Sequence, residues 1–220
     1  MKKVLIGITT AETVCHETME SLFNMIRPDD VQVTLRIIHA YQVSNGRNEL
    51  ALYALQNGFD YLFFVDSDVI IPEFALEKLL AANTLVINGT YPRKELDTIT
   101  KDNPYTTLYR HDRRGLNAIN FGPFFMSQNE LPKEGVVPVD AAGLGCTLIH
   151  TDVFRIIGGN DWFHFAQEPA KINFGPYCIG EDLYFYRECL RHNIQPYAEG
   201  SVRCGHVGKY IYKLKTMIIQ

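Results

Sequence analysis

Two aspartates one residue apart, Asp66 and Asp68, close the apolar run "YLFFVDSDVII". Carboxylates at that spacing converge on one hard divalent cation if the chain turns between them. Mg²⁺ or Mn²⁺ held in this way completes its shell with water and substrate phosphate oxygens. A second carboxylate pair, Glu181 and Asp182, follows Gly180 at the start of a helical pattern, and His206 in "VRCGHVG" follows the last apolar run. A neutral imidazole in the metal shell would favour Mn²⁺ over Mg²⁺. Arg47 and Arg93 offer guanidinium forks that fit phosphate oxygens. Each feature alone has a plainer reading: Asp68 as a helix cap, Glu181 and Asp182 as charges welcome at a helix N-terminus, His206 as a structural histidine. Gly143 and Gly145 in "AAGLGC" make no phosphate loop, because no GxGxxG spacing or following lysine is present, and they read as a close backbone approach to a ligand.

The elements that must position these residues alternate in kind. Val4 to Ile8 reads as a buried strand, about Thr13 to Met25 as a helix, Val31 to Ile38 as a strand, and about Asn48 to Gln56 as a helix stopped by Asn57-Gly58. The DxD run is the third strand, and Pro72 opens the next helix. Beyond Leu85 to Asn88, a short strand, the pattern is less regular. Residues 119–135 read as loop and antiparallel strand, 138–159 as strand and short helix, Glu181 onward as a helix, and the run to His206 as a last strand. This order predicts one α/β domain over residues 1–220 with a mostly parallel central sheet flanked by helices and a small antiparallel element in its second half. Ligands of such sheets bind outside the carboxyl ends of strands, where Asp66 and Asp68 stand. The regular part, about residues 1–95, and the less regular part, about 96–220, are then two halves of this one domain.

Bulk properties narrow the partners. With 220 residues, 46% hydrophobic, the chain can bury one large core. With 21 basic against 25 acidic residues and no basic block, there is no electrostatic footprint for nucleic acid. No apolar stretch reaches the roughly 20 residues of a membrane span, and the N-terminus lacks a signal-peptide pattern, so a cytoplasmic protein is expected. The five scattered cysteines suit reduced thiols, and the sequon Asn88-Gly89-Thr90 is a chance match.

Taken together, "FFVDSDVIIP", "NGRNELALYAL", "NGTYPRK", "VDAAGLGCTLIHTDVF", "GEDLYFYREC" and "CGHVG" resemble, in order and spacing, the nucleotide-sugar glycosyltransferases of the GT-A fold, particularly the inverting family 2 enzymes. The resemblance implies a UDP- or GDP-sugar donor, a glycan or other hydroxyl acceptor, and Mn²⁺ or Mg²⁺. It implies Asp68 as main metal ligand with His206, and Asp66 at the ribose and the metal shell, with Ser67 in the same nucleotide-contacting turn. Thr9 and Thr10 would end the first strand at the base, and Arg47 and Arg93 would meet the nucleotide or its diphosphate. Asp182 would be the general base and Glu181 would orient the acceptor. A helix N-terminus is expected to lower the Asp182 pKa and keep it ionised. Two other readings stand beside this one: a noncatalytic nucleotide-sugar binding module on the same scaffold, and a haloacid-dehalogenase-type phosphatase with Asp66 as nucleophile. The cluster Trp162, Phe163, His164 and Phe165 fits either sugar stacking or core packing. The tail with Lys209, Lys213 and Lys215 fits either closure over the diphosphate or a solvated face, and the chain could be one domain of a longer protein.

Overall fold

A computed structural model describes residues 1–94, 104–110, 125–168, 177–208 and 211–213. Lys209, Lys215 and residues 119–124 of the expected antiparallel segment lie outside the described residues. The strands are β1 Lys2–Thr10, β2 Val31–His39, β3 Tyr61–Val65, β4 Val69–Ile70, β5 Val86–Thr90, β6 Tyr105–Tyr109, β7 Phe125–Ser127, β8 Val136–Pro138, β9 Ala141–Ala142, β10 Cys146–His150, β11 Ala166–Glu168, β12 Tyr177–Ile179, β13 Tyr197–Arg203, β14 Gly205–Val207 and β15 Ile211–Tyr212. The described α-helices are α1 His16–Asn24, α2 Val43–Gln56, α3 Ala75–Ala81, α4 Asp152–Ile157 and α5 Glu181–Arg191.

Seven strands form the main sheet in the order β2-β1-β3-β10-β5-β13-β8. It is mixed, not mostly parallel. β1 pairs in parallel with β2 and β3, and β5 with β13, while β10 runs antiparallel to both β3 and β5, and β8 antiparallel to β13. The cause is long-range: β10 inserts between β3 and β5, which a βαβ pattern read along the chain would have made neighbours. Both sequence halves contribute strands to this one sheet. Small antiparallel sheets complete the fold, among them β15-β14-β4 and β7-β6-β9.

Alternation in β3 makes the layers. Leu62 and Phe64 enter one core with Leu50 and Ala54 of α2, Phe154 of α4 and Phe185 of α5. Phe63 and Val65 enter the opposite core with Leu22 of α1 and Leu76 and Leu79 of α3. Each of the leucine, valine and phenylalanine side chains among these contributes about 1.5–3 kcal/mol by leaving water. Because both faces of β3 are buried, its register and the position of its carboxyl end are strongly specified.

Three helices differ from expectation, α1 by starting at His16 and not at about Thr13. α2 begins at Val43, about five residues early, because Ser44 and Gly46 are buried in packing and do not form a turn. A Cβ on Gly46 would lie 2.7 Å from Thr9 Cγ2 and 3.0 Å from Ala40 Cβ, so the glycine lets the helix meet β1. After Asp68 the chain makes β4 first, paired with β14, and α3 begins only at Ala75. The last strand divides at Cys204 into β13 and β14. Asn88 is buried in β5, where its side-chain amide donates to the Tyr197 carbonyl at 2.7 Å. Among the described residues no helix is long and apolar enough to cross a membrane.

Candidate functional site

The turn after β3 is clamped from several sides. The Asp66 N–H donates to the Gly145 carbonyl at 3.2 Å, and the Val69 N–H to the Asp66 carbonyl at 3.2 Å. Ser67 O accepts from the Cys15 N–H at 2.8 Å, and Asp68 O from the Val207 N–H at 2.7 Å. The Asp66 and Asp68 side chains thereby point in two directions and find different partners.

Asp66 meets Arg47, whose Nη2 donates to Asp66 Oδ1 at 2.9 Å. Arg47 Nε also lies 3.6 Å from Glu181 Oε1. This arginine thus joins the DxD turn to the start of α5. Its side chain is only 5% exposed, with Phe64 beneath the guanidinium. Burial works against its charge, but Asp66 and Glu181 more than compensate, so its pKa is raised. Nε and Nη1 of Arg47 have no hydrogen-bond partner among the described residues, an uncommon condition for buried guanidinium nitrogens.

Asp68 divides its oxygens. Oδ2 accepts from Lys94 Nζ, and Oδ1 lies 3.5 Å from His206 Nε2. The other ring nitrogen, Nδ1, is 2.9 Å from the Pro92 carbonyl. A carbonyl only accepts, so Nδ1 donates to it, and Nε2 is the ring nitrogen that faces the carboxylate. Metal-ligating histidines are held in this way. Burial pushes the Asp68 pKa up, but the neighbouring His206 and Lys94 overcome it, so the carboxyl lies below its ordinary value. Among the described residues no three His, Cys, Asp or Glu side chains form a cage by themselves. Two protein donors, with the remainder from substrate phosphates and water, nevertheless suit Mg²⁺ or Mn²⁺. Four carboxylates against Arg47 and Lys94 leave the locality negative, which favours a divalent cation. Asp68 and His206 are the described side chains that such a cation would meet.

Asp182 corrects the sequence reading. Its pKa is raised to about 6, first by burial and then by the neighbouring Glu181 charge. The Leu183 N–H, which Oδ1 accepts at 2.7 Å, and Arg47 pull the other way without prevailing. The helix-terminus effect is worth roughly 0.3–1 kcal/mol, too little to win here. Gly180 also stands where a Cβ would be 2.8 Å from Asp182 Oδ1.

The glycines after β9 serve this wall. A Cβ on Gly145 would be 2.7 Å from Asp66 Oδ2 and 2.8 Å from the Tyr91 hydroxyl, and one on Gly143 would be 2.3 Å from that hydroxyl. The Tyr91 hydroxyl accepts the Gly145 N–H at 2.9 Å, and its ring stands edge-on to His206.

Other expected residues divide. Thr9 is buried against Gly46, and the Thr10 hydroxyl donates to the Thr13 carbonyl at 2.7 Å, shaping its own turn. Ser67 stays half-buried in the clamped turn. The Arg93 guanidinium lies 3.8 Å over the Phe125 ring, on the side of β7. Trp162 and Phe163 are core, at 2% and 0% exposure, and only His164 and Phe165 remain accessible. Asn48 holds that loop: Nδ2 donates to the Phe163 carbonyl at 2.9 Å, and Oδ1 accepts the Phe163 N–H at 3.0 Å. Sequence reasoning gave Lys94 no role, although it stands in the quoted "NGTYPRK" stretch, and it placed Asn48 beside Arg47 at a helix start without foreseeing its hold on the Phe163 backbone.

No family model matches this chain, and no curated protein matches it. Among solved structures it is similar to the crystal structure of A197 from STIV, at 18% identity and a TM-score of 0.59, over 100% of this chain and 97% of that one. The likeness is one of fold.

Proposed function

We propose that this chain is a metal-dependent glycosyltransferase of the GT-A type, moving a sugar from a UDP- or GDP-sugar to a hydroxyl acceptor, with inversion. The observation that carries the reading is the bridge through Arg47, 2.9 Å from Asp66 and 3.6 Å from Glu181, which brings two motifs distant in sequence to one place beside Asp68 and His206. Such a convergence of a DxD turn, an acidic helix start and a late histidine supports the transfer reading.

The acceptor hydroxyl is a poor nucleophile until its proton is taken. Asp182, with a pKa raised to about 6, is a stronger base than an ordinary carboxylate and is still ionised at neutral pH, near the optimum for proton transfer. The acceptor oxygen then bonds to the anomeric carbon as the bond to the diphosphate breaks. Asp68 and His206 would hold Mn²⁺ or Mg²⁺, which supplies charge neutralisation at the leaving diphosphate. Arg47 keeps Asp66 facing the nucleotide side and Glu181 facing the acceptor side, so both carboxylates are oriented before substrate arrives.

The phosphatase reading has less support, since its nucleophile, Asp66, is already engaged by Arg47. Thermal stabilisation by a panel of nucleotides with and without Mn²⁺, followed by nucleotide release from the matching sugar donors, tests the proposal. Metal-dependent stabilisation by UDP or GDP with release is expected. Binding without release under every acceptor would leave a binding module, and no nucleotide response would exclude both.

A further inference from the structure

We propose that Lys94 is a diphosphate-binding residue that guards Asp68 until cation and donor arrive. The inference rests on the transferase reading above and adds a residue that the motifs did not assign.

The stretch after β5 does two things at once. The Pro92 carbonyl fixes the His206 ring through Nδ1, and two residues later Lys94 Nζ donates to Asp68 Oδ2. Asp68 is therefore flanked by two cation-capable groups, one on each oxygen, with His206 Nε2 at 3.5 Å from Oδ1. The two environments differ. His206 is 14% exposed and anchored by its carbonyl bond, whereas the Lys94 and Asp68 side chains are 33% and 32% exposed. A lysine–carboxylate pair that open to water is weak and exchanges readily. The anchored histidine suits a permanent ligand, and the lysine suits a removable one.

Charge gives the lysine its second position. A divalent cation entering beside Asp68 and His206 competes with the ammonium for the carboxylate. A nucleoside diphosphate carries more negative charge than one divalent ion cancels in full once a carboxylate ligand is counted. Lysine, with three donors on a flexible stem, is a natural phosphate partner and needs no fixed fork geometry. Released from Asp68, Lys94 lies within its own reach of phosphates bound at the same cation. The ammonium thus screens Asp68 in the empty site and the leaving diphosphate in the loaded one.

The two roles give opposite signs in one variant, which a merely structural lysine would not. Mn²⁺ binding to the nucleotide-free protein, read by electron paramagnetic resonance, should tighten several-fold in Lys94→Gln because a competitor is gone. Mn²⁺-dependent affinity for UDP and GDP, read by calorimetry, should weaken by about 10- to 100-fold, as for loss of one charge-assisted hydrogen bond. Lys94→Arg should retain most of the nucleotide affinity, and the melting temperature of both variants should match the wild type. Unchanged nucleotide affinity in Lys94→Gln, or metal and nucleotide affinities falling together, overturns the assignment. Wild-type protein that binds neither UDP nor GDP with Mn²⁺ overturns the transferase reading and this one with it.

Discussion

Replacing Arg47 by methionine removes the one group among the described residues that touches both acidic motifs, while keeping much of its length and apolar volume. The variant loses a 2.9 Å hydrogen-bonded pair with Asp66 and a 3.6 Å ion pair with Glu181. Breaking a buried pair by deleting one partner costs about 3–5 kcal/mol, because the other charge stays behind uncompensated. The Asp66 side chain is 29% exposed and Glu181 10%, so water recovers part of the loss and the lower end applies. At about 3 kcal/mol, a domain of this size should melt roughly 6–12 °C lower. Calorimetry or circular dichroism at neutral pH reads this directly. Arg47 also draws the Asp182 pKa down, so its loss should move the acid limb of any activity profile to higher pH. Arg47→Lys should recover part of the stability, since a point charge cannot serve both carboxylates through a fork. A melting temperature within about 2 °C of wild type in Arg47→Met would show that the bridge holds nothing together, and the reasoning from its burial would fall.

The remaining variants divide the site by role. Asp182→Asn should melt higher than wild type at about pH 8 and equally at about pH 4. Folding raises this carboxyl's pKa to about 6, so the cost of its ionised form is fully present above that pH and is relieved as pH falls through 6 toward the unfolded value. For the same reason, wild-type kcat/KM should climb with pH through about 6, and a flat profile there would count against Asp182 as the base. Asp68→Ala should abolish Mn²⁺-dependent nucleotide binding with the fold intact; unchanged metal-dependent affinity would remove it from the metal site. Gly145→Ala should cost about 1–3 kcal/mol through the clash with Asp66 and Tyr91 and should weaken nucleotide binding, which melting curves and calorimetry would check together.

What could be read from the sequence was local. The apolar run of β3 ending at Asp66, the Asn57-Gly58 stop of α2 and the acidic start of α5 all follow from period, caps and turn residues, and the structure has each of them. What could not be read depends on partners far along the chain. Nothing near residues 146–150 signals that β10 enters the sheet antiparallel between β3 and β5. Gly46 looks like a turn residue until Thr9 and Ala40 are seen against it. Asp182 was assigned the wrong direction of shift because the helix terminus is visible in sequence, whereas its burial and the aim of Glu181 are not. Arg47 reads in the sequence as a contact to the nucleotide or its diphosphate, and its two carboxylate partners emerge only when α2 and α5 are packed against the same face of the sheet. Trp162 and Phe163 fitted two readings equally, and the core environment around Phe154 and Phe185 decides for packing.

Side-by-side measurement of nucleotide release and donor affinity in the wild type and Asp182→Asn tests the account at its centre. With the UDP- or GDP-sugar that binds best in Mn²⁺, the account predicts release slowed by about 10²–10⁴-fold and donor affinity unchanged, because a general base acts on the acceptor and makes no contact with the diphosphate. Release at the wild-type rate in Asp182→Asn would contradict it.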